Sequence, residues 1–464
     1  MSAALGQPGR QQAGAAGQAS GTGQASGTVG SSGTVHSSGT GEASDGEPSS
    51  RVNVLGRGGL AEARRAIRAL LTRPLASYYL VLGCSLLLLI VGLMMVLSTS
   101  TAYDLENGLP PYSLFAKQLI GAVVGLILMW LLAKAPARLL RACAYPLLLT
   151  SLVGLMAVLV LGIQVGGATR WLVVAGFQVQ PSEFAKLALV VWGADLLARK
   201  EKLGLLTDWR QLLVPLLPGT AIICILVMLG NDLGTTFLML VIFLALLWVI
   251  GAPGKLLAGM LGLLGFVMVM LIIVHPYELQ RIAGFLAAHK ASCSAGNCYQ
   301  LTQGKYALGS GGLFGVGSGA SKAKWGWLPN SDTDSIFAIL GEELGLVGTL
   351  CVTILYGGLA YAGLRIARRV QDTFSQLAAG AITIWLIAQA MVNIGAVIGV
   401  LPITGVPLPL ISQGLSSLLV TMAALGMLMS FARSEPGARR ALATAGPGFP
   451  RRLLGWLGLG RRPA

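Results

Sequence analysis

Ten apolar stretches alternate with short polar segments along this chain, at about 78–98, 114–133, 143–163, 183–198, 212–230, 235–250, 256–274, 335–364, 376–400 and 413–431. Most approach the ~20 residues that a helix needs to cross a bilayer. The pattern predicts an all-α polytopic membrane protein with ten transmembrane helices. Two stretches, 183–198 and 235–250, are short and open with polar residues, as spans bordering a binding site often do. The eighth, 335–364, is long: a straight helix of its 30 residues would measure ~45 Å against a bilayer core of ~30 Å. A loop of 275–334 separates the seventh and eighth spans.

Composition agrees with that reading. Of 464 residues, 54% are hydrophobic and 11% charged, where a soluble domain carries roughly 25% charged residues. Residues 1–50 are Gly, Ser, Ala, Thr and Gln with few large apolar side chains, a composition expected to stay disordered. No apolar core near Met1 predicts a cleavable signal peptide. Residues 51–77 form a basic juxtamembrane segment suited to an anionic membrane surface. The membrane domain follows over 78–432, then a basic tail over 433–464.

The formal charge is +15. In a membrane protein that excess speaks first to topology rather than to nucleic acid, which is not expected as a partner. With ten spans and both termini placed inside, 25 of the 33 Lys and Arg residues fall on the inner side. The motifs GGATRW (166–171), QPSEFAK (180–186), NDLGTT (231–236), the loop 275–334 and LPITGVPLPLISQG (401–414) then all lie outside. The prolines of the last motif prevent a regular helix, so it is expected to re-enter and line a cavity.

The chemistry gathers in those outer segments. Asp332, Asp334, Glu342 and Glu343 crowd the mouth of the eighth span, and intramembrane or boundary acids mark functional sites. Asp334 is either an N-cap or a catalytic base, and the two roles are compatible. On a straight helix it would stand ~15 Å beyond the membrane boundary, level with a headgroup or a lipid-linked sugar. Glu342 and Glu343 are adjacent, so at least one faces protein as a structural partner. Glu183 and Lys186 are spaced to meet on one helix face. Lys186 is thus either half of a local ion pair or a contact to an anionic ligand, together with Arg170, whose planar fork suits phosphate. Asp232 caps the sixth span, pairs Lys186 or holds a divalent ion. Lys305, Lys322 and Lys324 are phosphate contacts or solvated, and solvation is the simpler reading for each. The glycines of 306–319 lack a preceding strand and read as a close-packed, flexible loop. Cys293 and Cys298 could close a disulfide ring if their loop faces an oxidising compartment. Cys84, Cys143, Cys224 and Cys351 lie in apolar runs and read as packing residues.

These motifs, with the stretch KWGWLPxxxTDxIFAxxGEELGLVG and VPLPLISQGLSS, resemble the SEDS family (shape, elongation, division, sporulation). That is the family of FtsW and RodA, peptidoglycan polymerases, and the resemblance covers roughly 78–432. SGASKAKWGWLP looks more like the division member FtsW, of actinobacterial type, than like the elongation member RodA. The resemblance implies a SEDS-type ten-helix fold and polymerisation of lipid II into glycan strands. It implies Asp334 as the essential acid and maps the family's motif residues onto Arg170, Glu183, Lys186 and Asp232; with Lys305, Lys324, Ser412 and Gln413 these are the substrate-binding candidates, and Asp332, Glu342 and Glu343 are read as supporting. It also implies a class B penicillin-binding transpeptidase and divisome regulatory proteins as partners, at a septum in the cytoplasmic membrane. Three positions depart from the family pattern. Asp332 stands for its His, Ser335 for its aromatic residue, and Leu415 for the second Gly of its Gly-Gly pair. Asp332 is expected to raise a neighbouring acid's pKa if close, and the loss of the ring to remove packing.

The chemistry expected is attack by an acceptor sugar hydroxyl, deprotonated by Asp334, on a sugar carrying a diphosphate leaving group, with inversion. Arg170 and Lys186 would hold the diphosphate. A Mg²⁺ or Mn²⁺ on Asp232, Asp332 or Asp334 would assist, with no organic cofactor. The rival readings are a flippase for lipid-linked oligosaccharides and a non-catalytic division scaffold. A flippase should offer polar contacts at the midplane and on both faces, whereas these motifs sit on one.

Overall fold

The computed structural model describes residues 75–438, apart from 107, 111, 166–167, 175, 206–207 and 289–296. The 1–50 tail, most of the basic segment 51–77, the tail beyond 438 and Cys293 lie outside the described residues. The fold is a helical bundle: α1 (Ala76–Glu106), α2 (Ser113–Lys134), the short α3 (Ala137–Ala142), α4 (Ala144–Leu161), α5 (Pro181–Lys202), the short α6 (Trp209–Leu213), α7 (Leu216–Leu229), α8 (Leu233–Val249), α9 (Gly254–Val274), α10 (Pro276–Ala288), α11 (Asn297–Ser310), α12 (Ile336–Arg369), α13 (Thr373–Ile398) and α14 (Leu415–Arg433).

Each of the ten apolar runs falls on a helix. Among the described residues eight segments are long and apolar enough to cross a membrane, one of them Trp209–Leu229, which joins α6 and α7. The two that do not qualify are the runs recognised as short. Leu233–Val249 has 17 residues, and α5 carries Glu183, Lys186 and Asp195 among its apolar positions. Both are compensated by burial, since α5 and α8 pack against each other and against α13. At the other extreme α9 buries only Leu264 and offers Leu261, Phe266 and Ile273 outward, a surface that lipid would solvate.

A three-stranded antiparallel sheet adds to the all-helical expectation. β1 (Ile163–Val165), β2 (Ala168–Val174) and β3 (Phe177–Val179) follow one another between α4 and α5. Trp171 pairs with Ile163 and Leu172 with Val179. The β-branched and aromatic residues of TRWLVV favour strand, but the short apolar run merges with the end of the third span in the sequence.

The long eighth helix is not straight. Gly345 has φ +67° and ψ −164° and breaks α12 into a buried segment, Ile336–Leu344, and a span from Leu346. The backbone groups exposed by the break are taken up by the glycine-rich loop. Val316 N–H donates to the Glu342 carbonyl (3.0 Å) and Gly317 N–H to that of Glu343 (3.1 Å), while Leu346 and Val347 donate to Gly312 and Leu313. A Cβ at Gly345 would lie 2.4 Å from Gly315 N, so only glycine allows the two backbones to touch. The break removes the premise that Asp334 stands beyond a straight helix: the segment that follows it is packed inside the protein.

At the end of the bundle distant from these motifs, Asp195 is buried between Arg141 (3.0 Å) and Arg199 (2.7 Å), and Arg433 donates to the Ala133 carbonyl. Arg141, Arg199 and Arg433, three of the cations expected on the inner side, thus each find a partner on a span.

Candidate active site

Asp334 closes a turn that starts at Pro329. Asn330, at φ +52°, accepts from the N–H groups of Thr333 (3.2 Å) and Ser335 (3.0 Å). The helix N-cap is Ser335, without a side-chain cap bond. The carboxyl of Asp334 is therefore not spent on capping. The Ser335 hydroxyl donates to the Pro329 carbonyl (3.1 Å) and accepts from Gln300 Nε2 (2.9 Å). A polar bracket thus occupies the position where an aromatic ring was missed from the family pattern.

The wall facing Asp334 is the irregular segment 401–414, as its prolines predict. It is stapled to the turn at three points. Asn393 Nδ2 donates to the carbonyls of Asp334 (3.0 Å) and Val406 (2.8 Å), Ser412 Oγ to that of Thr333 (2.7 Å), and Gln413 N–H to that of Asp332 (3.0 Å). Ser412 and Gln413 are thereby scaffolding for the acid-bearing turn. A Cβ at Gly234 of the NDLGTT motif would meet the Thr404 carbonyl at 2.5 Å, so that glycine is what lets the wall lie against α8.

Gly405 marks the centre. A Cβ built on it would lie 3.2 Å from Arg170 Nη1, 3.5 Å from Arg281 Nη2 and 3.6 Å from Asp334 Oδ2. One acid and two guanidinium groups thus converge on a residue without a side chain. Arg170 comes from β2, donates to the Asn231 carbonyl (2.8 Å) and lies 3.8 Å from Asp232. Arg281 comes from α10 and pairs with Glu278 at 3.3 Å. The sequence pointed to Arg170 through a compact motif. Arg281 was missed because it is one of five cations in a long loop. Its signal was the i,i+3 spacing from Glu278 on an amphipathic stretch.

Loss of water in this setting raises the Asp334 carboxyl to about 6; Arg281 and Arg170 hold it back, and Asp332 and Asp232 add to the rise. Burial also raises Asp332. The expectation that Asp332 would raise its neighbour holds, with desolvation as the larger cause. A cleft whose empty space, its solvent-open part included, amounts to ≈ 340 Å³ runs from Asp334 and Gly405 past Gln300, Asn393 and Thr404, walled by Leu301, Ala338 and Val397. A second, of ≈ 260 Å³, has Arg170, Asp232 and Ser182 at one side and Leu155, Val158, Leu226 and Val227 at the other. Arg170 lines the second space and stands beside Gly405, which lines the first.

Several candidates are placed elsewhere. Lys186 is fully buried, with Nζ 2.8 Å from Glu183 Oε1 and 3.0 Å from Gln389 Oε1. This is the ion-pair alternative, and it leaves Lys186 no surface for a ligand. Lys324 is buried rather than solvated: Nζ donates to Ser98 Oγ (2.9 Å), the Gly319 carbonyl (2.6 Å) and Glu343 (3.5 Å). Lys305 packs its Nζ against Gly399. Both Glu342 and Glu343 are buried. Glu342 accepts from Ser321 and the Lys322 and Ala323 N–H groups, and Glu343 accepts from Ser98 and Lys324. Asp232 caps α8 through Thr235 N–H (3.1 Å), and Thr235 Oγ1 and Gln180 also donate to it. It pairs with Arg170, not Lys186.

Among the described residues no three His, Cys, Asp or Glu side chains gather to hold a metal. Of the carboxylates considered for Mg²⁺ or Mn²⁺, Asp232 is committed to its cap and to Arg170. Cys298 is disulfide-bonded, while Cys84, Cys143, Cys224 and Cys351 are free.

A family model described as "Cell cycle protein", FTSW_RODA_SPOVE, matches residues 78–436. The probable peptidoglycan glycosyltransferase FtsW of Mycobacterium tuberculosis is 40% identical over 400 residues, 85% of this chain and 75% of that protein. The stage V sporulation protein E of Bacillus subtilis is 35% identical over 353 residues, 75% of this chain and 95% of its own. Among solved structures, a chain described under polymerization and crosslinking by a peptidoglycan synthase complex aligns with TM-score 0.63 and 28% identity, over 77% of this chain and 97% of that one. The rod shape determining protein RodA of Thermus thermophilus aligns with TM-score 0.56 and 27% identity, over 78% of this chain and 98% of its own.

Proposed function

This chain belongs to the cell cycle protein family of FtsW, RodA and SpoVE, and we propose that its peptidoglycan glycosyltransferase reaction takes place at Asp334, beneath Gly405. It is a multi-pass membrane protein, and relatives at this level of identity are named peptidoglycan glycosyltransferases. The finer reading is polymerisation of lipid II on the outer face of the cytoplasmic membrane, during septal wall synthesis, with both termini inside. The single observation that carries it is the convergence of Asp334, Arg170 and Arg281 on one point.

Those groups suit the reaction. The Asp334 carboxylate takes the proton of the acceptor sugar hydroxyl as its oxygen bonds to the donor's anomeric carbon. The bond from that carbon to the diphosphate breaks, and its electron pair leaves with the diphosphate. Two arginines beside the acid neutralise the charge that develops there. A carboxyl poised near 6 is largely ionised at neutral pH yet basic enough to accept a proton. The diphosphate assignment passes from Arg170 and Lys186 to Arg170 and Arg281, because Lys186 is buried in its ion pair. The second cavity, polar at Arg170 and apolar along α4 and α7, suits an isoprenoid chain attached to that diphosphate. Ser412, Gln413, Lys324 and Glu343 serve by holding the turn and the loop in place.

A class B penicillin-binding transpeptidase as partner is supported by the described peptidoglycan synthase complex with which the fold aligns. Divisome regulatory proteins are proposed on the FtsW resemblance. The test is purified protein, with and without its transpeptidase, given labelled lipid II. Asp334→Asn should insert and fold yet yield no glycan ladder. Ladders from that variant would overturn the assignment, and transport of lipid II without polymerisation by the wild type would favour a flippase.

A further inference from the structure

α5 and α13 share a set of buried polar side chains, and such burial is expensive. Glu183, Lys186, Trp385 and Gln389 are each at most 1% exposed, and Asn393 is 2% exposed. Trp385, Gln389 and Asn393 recur every fourth residue, so they share one face of α13. Their hydrogen bonds run in one direction. Lys186 Nζ, held by Glu183 at 2.8 Å, donates to Gln389 Oε1 (3.0 Å), which also accepts from Trp385 Nε1 (2.9 Å). Gln389 Nε2 donates to the Pro407 carbonyl (2.9 Å), and Asn393 Nδ2 to the carbonyls of Val406 and Asp334.

Both amide orientations are determined by their partners. Lysine and indole only donate, and carbonyls only accept, so exchanging N and O in either amide would set like against like. The bonds of the two amides end on two backbones beside Gly405: those of Gln389 on the wall at 407, and those of Asn393 on the wall at 406 and the turn at 334. We propose that Gln389 and Asn393 are positioning residues, and that the Glu183–Lys186 pair anchors Gln389, so that these two buried amides of α13 set the spacing between the Asp334 carboxyl and the wall that carries Gly405. This rests on the reading of Asp334 as the base. It accounts for a lysine deep in the bundle without giving it a ligand: a buried ion pair is a costly device whose best-attested use is fixing one arrangement. The apolar packing around it can tolerate small slips, but two hydrogen-bonded amides cannot.

The experiment compares Gln389→Met and Asn393→Leu, each close in size to the residue replaced, with Asp334→Asn and wild type in lipid II polymerisation and thermal unfolding. A misplacement of about 1 Å costs up to 10²-fold in rate, so kcat should fall at least about tenfold in either variant, with KM for lipid II within about twofold. The acid limb of the surviving activity should move, because the carboxyl's distances to Arg170, Arg281, Asp332 and Asp232 change together. Wild-type kcat in a folded Gln389→Met or Asn393→Leu protein overturns the inference while leaving the base intact. So does a loss of activity that only tracks loss of folded protein, with the pH limb unmoved. Activity in Asp334→Asn would instead overturn the underlying reading.

Discussion

Arg170 and Asp334 approach each other across the empty side of Gly405, from which a methyl would lie 3.2 Å from the guanidinium and 3.6 Å from the carboxylate. The two come from segments 164 positions apart. Gly405 also has φ +70°, a conformation that L side chains rarely adopt. Gly405→Ala should therefore fold, since the strain is about 1–3 kcal/mol. It should lose most of its polymerase activity, with KM raised as well as kcat lowered, because the added carbon occupies the point where acid and arginines meet. Steady-state kinetics with lipid II measures both.

The pH dependence follows from burial. Asp334 titrates at about 6, so kcat should fall below that pH as the base becomes protonated, and level off above it. The stability effect has the opposite sense. A carboxyl raised by folding binds its proton more tightly in the native state, so ionising it costs stability as pH rises from the ordinary carboxylate range through about 6. Asp334→Asn removes that cost. It should unfold at a higher temperature than wild type at pH 7.5 while being inactive, and at pH 4 the difference should vanish.

Arg281 separates the three-dimensional site from its linear motifs. Arg281→Gln should lower kcat by about 10²-fold, the typical loss when one preorganised donor to developing charge is removed. Arg281→Lys should recover little, because a point charge does not replace a planar fork. The parallel substitutions at Arg170 should behave alike. Activity near wild type in Arg281→Gln would leave the diphosphate with Arg170 alone.

The Glu183–Lys186 pair makes a prediction about stability. Lys186→Met strands Glu183 as a buried unpaired charge and should cost about 3–5 kcal/mol. Glu183→Gln combined with Lys186→Met should recover much of that, seen as a rise in unfolding temperature in detergent. A direct ligand contact would predict unchanged unfolding and lost affinity for lipid II instead.

Gly345 tests the broken helix. Gly345→Ala sets a Cβ 2.4 Å from Gly315 N at φ +67°, where nothing but backbone can give way. It should destabilise by more than ~1 kcal/mol, whereas the same replacement at a regular helix position would stabilise. Limited proteolysis should then cut within the 311–319 loop that the break holds.

Much of this was legible along the chain. Periodicity is a local property, so each apolar run falls on a helix among the described residues, and the two runs marked as short lie on α5 and α8, which do not qualify as spans. Proline chemistry marked 401–414 as an irregular wall, and short motifs marked Arg170, Asp232 and Asp334. What the linear order could not supply was who faces whom. Glu183 and Lys186 sit three apart, which signalled a pair; that the pair is sealed from ligand depends on Gln389, some 200 positions later. Lys324 read as a solvated cation and is a buried partner of Ser98 and Glu343. The break at Gly345 depends on the 311–317 backbone pressing against it. Arg281 joins Arg170 only because α10 and β2 fold over the same glycine. Spans and motifs are set by neighbours in sequence, through hydrophobic period and backbone restriction. The site is set by close packing between distant backbones, which decided which of many charges meet across Gly405 and which are locked away as scaffold.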